Sequence, residues 1–142
     1  MINREAIYSA LYDKLNTIQG FRTVSRRFKL WSELQPEQMP ACMMVQAGEV
    51  GMQEGGTPTR WEMSVDILIY TFQADDTISP TPQLNSLLDA VEALFAPDDP
   101  ASNRLTLGGL VTRAWLSGNV EIFEGVIANH SVAAIPVRIL AN

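Results

Sequence analysis

The sequence predicts an α+β fold: a mostly antiparallel, mixed sheet with two amphipathic helices packed on one face. Three observations predict it. The run Arg60–Phe72 (RWEMSVDILIYTF) places Trp61, Met63, Val65 and Ile67 on one side and Glu62, Ser64 and Asp66 on the other. That is the period of a strand with one face against a core. Two further stretches repeat apolar residues at helical spacing. The element order is helix, two or three strands, helix, then two more strands, with neither βαβ regularity nor an internal repeat.

The first helix opens at Asn3 as N-cap, carries Glu5 at the positive end of its dipole, and is expected to end with Gly20 at C′. Ile7, Leu11, Leu15 and Ile18 form its apolar stripe, extended by Ala6 and Ala10, with Tyr8 and Tyr12 on a flank. Phe21–Phe28 follows as an imperfectly alternating strand. Leu30–Pro40 reads as a loop with a turn near Gln35-Pro36-Glu37, and Ala41–Ala47 as a short, apolar strand central to the sheet. Gly48–Thr59 (GEVGMQEGGTPT) is turn-forming throughout. It is longer than a tight hairpin needs, and reads either as a flexible tip or as a partner-binding arm.

From Ile67 to Tyr70 the polar face of the organising strand disappears, which predicts cover on both sides. After the polar loop Gln73–Thr81, Thr81 is the expected cap of the second helix, with Pro82 at N1. Leu84, Leu87, Leu88, Val91, Leu94 and Phe95 mark its buried stripe; Asp89 and Glu92 lie on the wet side and Pro97 ends it. Asp98–Arg104 is a polar connector and Gly108-Gly109 another break. Leu110–Leu116 and Val120–Phe123 read as one long strand interrupted at Ser117-Gly118-Asn119. Gly125–Asn129 is expected to turn the chain into a last strand, Ser131–Leu140. Pro136 cannot donate to a ladder, so this strand is expected at an edge or bulged there.

A chain of 142 residues suits a single domain, 1–142. A net charge of −6 and a pI of 4.6 argue against a sequence-independent grip on nucleic acid. The basic residues are nevertheless clustered: Arg22, Arg26, Arg27 and Lys29 fall close together, as a local contact patch or as gatekeeper charges on a strand edge. Cys42 is the sole cysteine, so no intrachain disulfide forms. No run approaches the ~18 apolar residues of a membrane span, and residues 1–20 hold no uninterrupted apolar h-region. The chain is expected to be made and kept in the cytoplasm unless it leaves inside a larger particle.

The catalytic inventory is thin. His130, the single histidine, falls in a predicted turn, and Cys42 in an apolar strand. One Cys and one His do not supply a zinc ligand set, and a nucleophile pair would also need an orienting third group. Asp75-Asp76 and Asp98-Asp99 lack the spacing of a calcium loop and read as solvated loop charges. No GxSxG, Walker or Rossmann pattern is present. The expectation is therefore no enzyme, no catalytic residue, no metal and no cofactor. Surface for partners is the positive feature: Trp31, Trp61 and Trp115, flank tyrosines, long loops and an edge strand suit an interaction protein. Among the tryptophans, Trp61 and Trp115 are expected in the core.

Several segments together resemble one family. NREAIYSALYDKL, GFRTVSRRFKLWSEL with QMPACMMVQAGE, RWEMSVDILIY, LNSLLDAVEALFAP, TLGGLVTRAWLSGNVEIFEGV and the closing AAIPVRIL are similar to the tail terminator, or tail-completion, proteins of long-tailed bacteriophages, of the lambda type. The resemblance runs over nearly the whole chain in element order. It implies a small α+β subunit that forms a ring, hexameric by family likeness, on the last ring of the tail tube. Such a ring stops tail growth and offers a surface for head joining. The implied partners are further copies of the chain, the tail tube protein and a head completion or connector protein. Neither a membrane nor a specific nucleic-acid sequence is among them. The implied location is the head-proximal end of the virion tail. The subunit or tube interface is then expected at Arg22, Arg26, Arg27 and Lys29, and at Glu49, Met52 and Glu54 of the Gly-rich hairpin. Two other readings are another head–tail joining or tube component, and a small ligand-binding α+β domain with a polar pocket around His130 or Cys42.

Overall fold

A computed structural model describes residues 1–127 and 129–142. Its elements are α1 (Arg4–Leu15), β1 (Thr23–Ser25), β2 (Ala41–Met52), β3 (Arg60–Phe72), α2 (Thr81–Ala93), β4 (Arg113–Leu116), β5 (Glu121–Ile127) and β6 (His130–Ala141). The strands form one six-stranded sheet in the order β1-β2-β3-β6-β4, with β5 also on β6. Only β1 and β2 are described as parallel; every other described pairing is antiparallel. The expected α+β architecture is the observed one, with β3 bounded as its alternation predicts.

Both helices pack on one face. Ile7, Leu11 and Leu15 of α1 share a buried cluster with Leu84, Leu87 and Val91 of α2 and with Met63, Val65, Ile67 and Ile69 of β3. A smaller cluster covers part of the other face. There Leu34 and Met39 lie against Ala41, Met43 and Tyr70, the cover that the apolar run Ile67–Tyr70 calls for. The covering segment contains two 3-10 turns, Trp31–Glu33 and Pro36–Gln38, the second where the turn was expected.

The boundaries differ from the sequence reading for identifiable reasons. Asn3 caps α1 as expected, its Oδ1 accepting from Ala6 N at 3.1 Å. The helix nonetheless ends at Leu15, because Thr17 turns back and both its N and its Oγ1 donate to the Lys14 carbonyl. Gly20 is not the C′ residue. A Cβ there would stand 2.8 Å from Leu87 Cδ2, so the glycine lets the linker pass close to α2. β1 spans only Thr23–Ser25 of the expected Phe21–Phe28. The Ser25 hydroxyl takes the Arg27 N–H at 2.9 Å and donates to the Arg27 carbonyl at 3.1 Å, turning the strand off.

The largest difference lies in Gly48–Thr59. β2 continues to Met52, leaving Gln53–Thr59 as the hairpin loop. Gly48 sits at a β-bulge with φ +141°, and a Cβ on Gly51 would meet the Trp61 indole at 3.0 Å. These glycines serve strand irregularity and close ring packing rather than a long loop. α2 starts one residue earlier than expected, with Pro80 at its N-cap. Thr81 makes no capping bond and instead donates its hydroxyl to Glu124 of β5.

β4 and β5 are two pieces of one interrupted line along β6, as expected: β4 pairs with Val137–Leu140 and β5 with residues toward His130. β6 is an interior strand whose register with β3 runs through Pro136 without a shift, so neither the edge placement nor the bulge expected there is found. Pro136 is tolerated because it faces the break between β4 and β5, where its carbonyl accepts from Ser117 N at 3.0 Å. The turn expected over Gly125–Asn129 falls partly on Ala128, outside the described residues; β5 is described as far as Ile127. Neither Trp61 nor Trp115 is fully buried, but Trp61 packs against the main core cluster as expected. Ala114 takes the core-facing position of β4, and its neighbour Trp115 points to the other face with the Arg113 guanidinium 4.8 Å from its ring centroid.

Candidate assembly surfaces

The residues expected at an interface fall into two groups. Arg22 is exposed just before β1, and Arg27 and Lys29 are exposed on the strap that leaves it. Arg22 donates to the Glu37 carbonyl at 3.3 Å, and none of the three is in an ion pair among the described residues. Met52 and Glu54 are exposed at the end of β2 and in the hairpin loop. Exposed Val50 lies two residues from Met52 on the same strand, an apolar extension of this tip that the sequence reading did not single out.

Arg26 and Glu49 are instead used inside the subunit. Arg26 donates to Glu5 of α1 and, at 3.2 Å, to Gln46 of β2. Its side-chain hydrogen bond lowers the Glu5 pKa below the ordinary glutamate value and raises its own. Glu49 accepts from Tyr8 Oη at 2.9 Å and from Arg4 Nε at 2.7 Å. Arg4 also lies over the Trp61 ring at 4.5 Å. Burial, and then the Glu49 carboxylate that accepts its hydrogen bond, push the Tyr8 phenol well above its ordinary value. Together these contacts tie the segment that leaves β1 and the later part of β2 to the start of α1.

Cys42 and His130 do not meet. Cys42 is buried in the helix-side cluster, where burial pushes its thiol up to about 12. His130 opens β6 and stacks tilted on Trp31 and Phe72, with ring centroids 4.7 and 5.1 Å away, beside the cluster on the opposite face. Asp98 and Asp99 do more than carry solvated charge. Asp98 accepts from Gly108 N at 2.9 Å, Thr106 N at 2.6 Å and Thr106 Oγ1 at 2.9 Å, which lowers its pKa to about 2. It thereby fixes the turn that leads into β4. Among the described residues no three His, Cys, Asp or Glu side chains converge as metal ligands do, and no helix is long and apolar enough to cross a membrane.

A second surface escaped the sequence reading. β5 pairs with β6 on one side and with no other described strand, and Ile122 and Phe123 are about half exposed, at 46% and 50%. Glu121 and Glu124 flank them, also exposed. The loop before α2 is fastened beside this strand, since Ser79 Oγ donates to Glu124 at 3.0 Å and Gln73 N to the Asn129 carbonyl at 3.0 Å. Asp75 and Asp76 line a cleft together with Asn129, just before β6. Val120–Phe123 was legible as a strand, but edge position is a tertiary property that its pattern does not encode.

No protein-family model matches the chain, and no curated protein sequence matches it. Among solved structures it is similar to a chain described as "Virion of native gene transfer agent (GTA) particle", at 11% identity and a TM-score of 0.59. The match covers 96% of this chain and 95% of that one. The likeness is one of fold, and it spans both chains almost end to end.

Proposed function

We propose that this chain is a structural subunit of a phage-like virion, acting as a tail terminator: a ring that caps the tail tube, ends its polymerisation and offers the surface for head joining. The observation that carries the reading is the likeness of fold, over 96% and 95% of the two chains, to a component of a gene transfer agent virion. The family resemblance of the sequence segments supports the finer assignment to the tube end.

The surfaces suit that role. A subunit with a net charge of −6 repels its own copies, so ring closure needs local patches of opposite sign. The unpaired Arg22, Arg27 and Lys29 are one such patch. The hairpin tip, with Val50 and Met52 exposed beside Glu54, is a compact apolar and acidic projection fit to contact the tube. Its work is binding, with no bond made or broken, and neither cofactor nor metal enters the mechanism.

The test is to polymerise tail tube protein with and without the purified subunit and to measure tube lengths and end structure by electron microscopy. Shorter tubes closed by a ring at one end are expected. Unchanged lengths with no subunit on the tubes would overturn the terminator reading. Binding to portal or connector complexes alone would assign the chain to another head–tail joining component.

A further inference from the structure

We propose that neighbouring copies dock head to tail through opposite edges of the sheet, the cationic β1 edge of one subunit against the anionic β5 edge of the next. This rests on the ring-forming reading above and names the surface that receives the basic patch.

The sheet order β1-β2-β3-β6, with β5 on the outer side of β6, puts the two edges at opposite ends of the subunit. Both are built alike. On the first, Arg22 and Arg27 are exposed without ion pairs among the described residues, and the strap that follows carries Phe28, 49% exposed. On the second, exposed Ile122 and Phe123 lie between Glu121 and Glu124, again without an ion pair among the described residues. Each edge thus offers exposed apolar area beside charges outside any ion pair among the described residues, cationic at Arg22 and Arg27 and anionic at Glu121 and Glu124.

Charge decides the geometry of assembly. A symmetric contact of two β5 edges would oppose carboxylates, and one of two β1 edges would oppose guanidinium groups; both are penalised. Joining unlike edges removes both penalties. Because each subunit then presents one edge of each kind, repetition with a closing rotation yields a ring. β5 also pairs with no other described strand on its outer side, and such an edge is one that monomeric proteins keep short, bulged or covered. Arg26 is excluded from this contact by its bonds to Glu5 and Gln46. The hairpin tip remains free for the tube.

The experiment uses two charge-reversed proteins, R22E/R27E and E121K/E124K, with wild type as reference. Self-association is measured by light scattering and by retention on a tagged copy, and folding by thermal melts. Each reversed protein alone carries like charges on both edges and should self-associate at least about tenfold more weakly than wild type. Mixed one to one, they restore opposite signs at every contact and should associate again. If a reversed protein melts early, the neutral pairs R22Q/R27Q and E121Q/E124Q replace them, and each must weaken association of a protein that melts like wild type. Wild-type association that survives both reversals, or a mixture that stays dissociated, overturns the edge assignment alone. A wild type that remains monomeric with and without tubes overturns the ring reading itself.

Discussion

Replacing Glu49 by alanine separates an internal brace from an interface residue. Its carboxylate is 18% exposed and takes bonds from Tyr8 Oη and Arg4 Nε. Truncation leaves the Tyr8 hydroxyl, on a residue 1% exposed, without its acceptor, at a cost of about 1–2 kcal/mol. Arg4 is 46% exposed, so its lost ion pair adds less than about 1 kcal/mol. The expected total is about 1–3 kcal/mol, with E49Q, which keeps an acceptor, within about 1 kcal/mol of wild type. In a cycle with Y8F the two losses should overlap by about 1 kcal/mol. The assay is urea unfolding followed by fluorescence at protein concentrations low enough to keep the subunit monomeric. An E49A protein as stable as wild type that no longer binds tube would refute the brace and restore Glu49 to the interface.

Leu84→Ala should cost about 2–5 kcal/mol, because Leu84 is fully buried between α2 and the sheet. Leu88→Ala should cost clearly less, since Leu88 is only partly buried, and Asp89→Ala about 0.5 kcal/mol or less; equal effects in denaturant titrations would put α2 in another orientation. A glutamate-specific protease should cut first after Glu54 in the Gln53–Thr59 loop and spare Glu49 within β2; early cleavage at Glu49 would contradict the strand. At high pH, burial raises Cys42 and Tyr70 to about 12. Their contribution is present below the unfolded values, near 8.5 and 10, and is lost as pH rises toward 12. Melting temperature should therefore fall steadily above about pH 9, and a flat profile would count against their burial. On the acid side Asp98, lowered to about 2, contributes above its unfolded value near 3.9. D98N should remove that part of the acid dependence.

Local pattern made β3 and the stripe of α2 legible, because strand alternation and helical period are written in neighbouring residues. It also placed the interruption between β4 and β5. Tertiary facts overrode it elsewhere. Gly48 and Gly51 read as loop residues, yet one forms a bulge and the other makes room for Trp61. Pro136 read as a sign of an edge or a bulge, yet β6 is interior and unshifted against β3, and the neighbouring line breaks beside the proline. At the assembly surfaces the basic cluster was visible, but its internal use was not. Arg26 reaches Glu5 across 21 positions and Glu49 reaches Tyr8 across 41, separations that leave no local trace. The acidic β5 edge was hidden for the same reason: exposure of Ile122 and Phe123 follows from what the sheet leaves unpaired.

The most direct test is to locate the chain on assembled particles by electron microscopy with an antibody or gold label against the hairpin tip or a terminal tag. The account predicts one labelled ring per particle at the junction of tail and head, and unterminated tails when the chain is absent. Label spread along the tube, confined to the distal end, or missing from particles that assemble normally without the chain would contradict it.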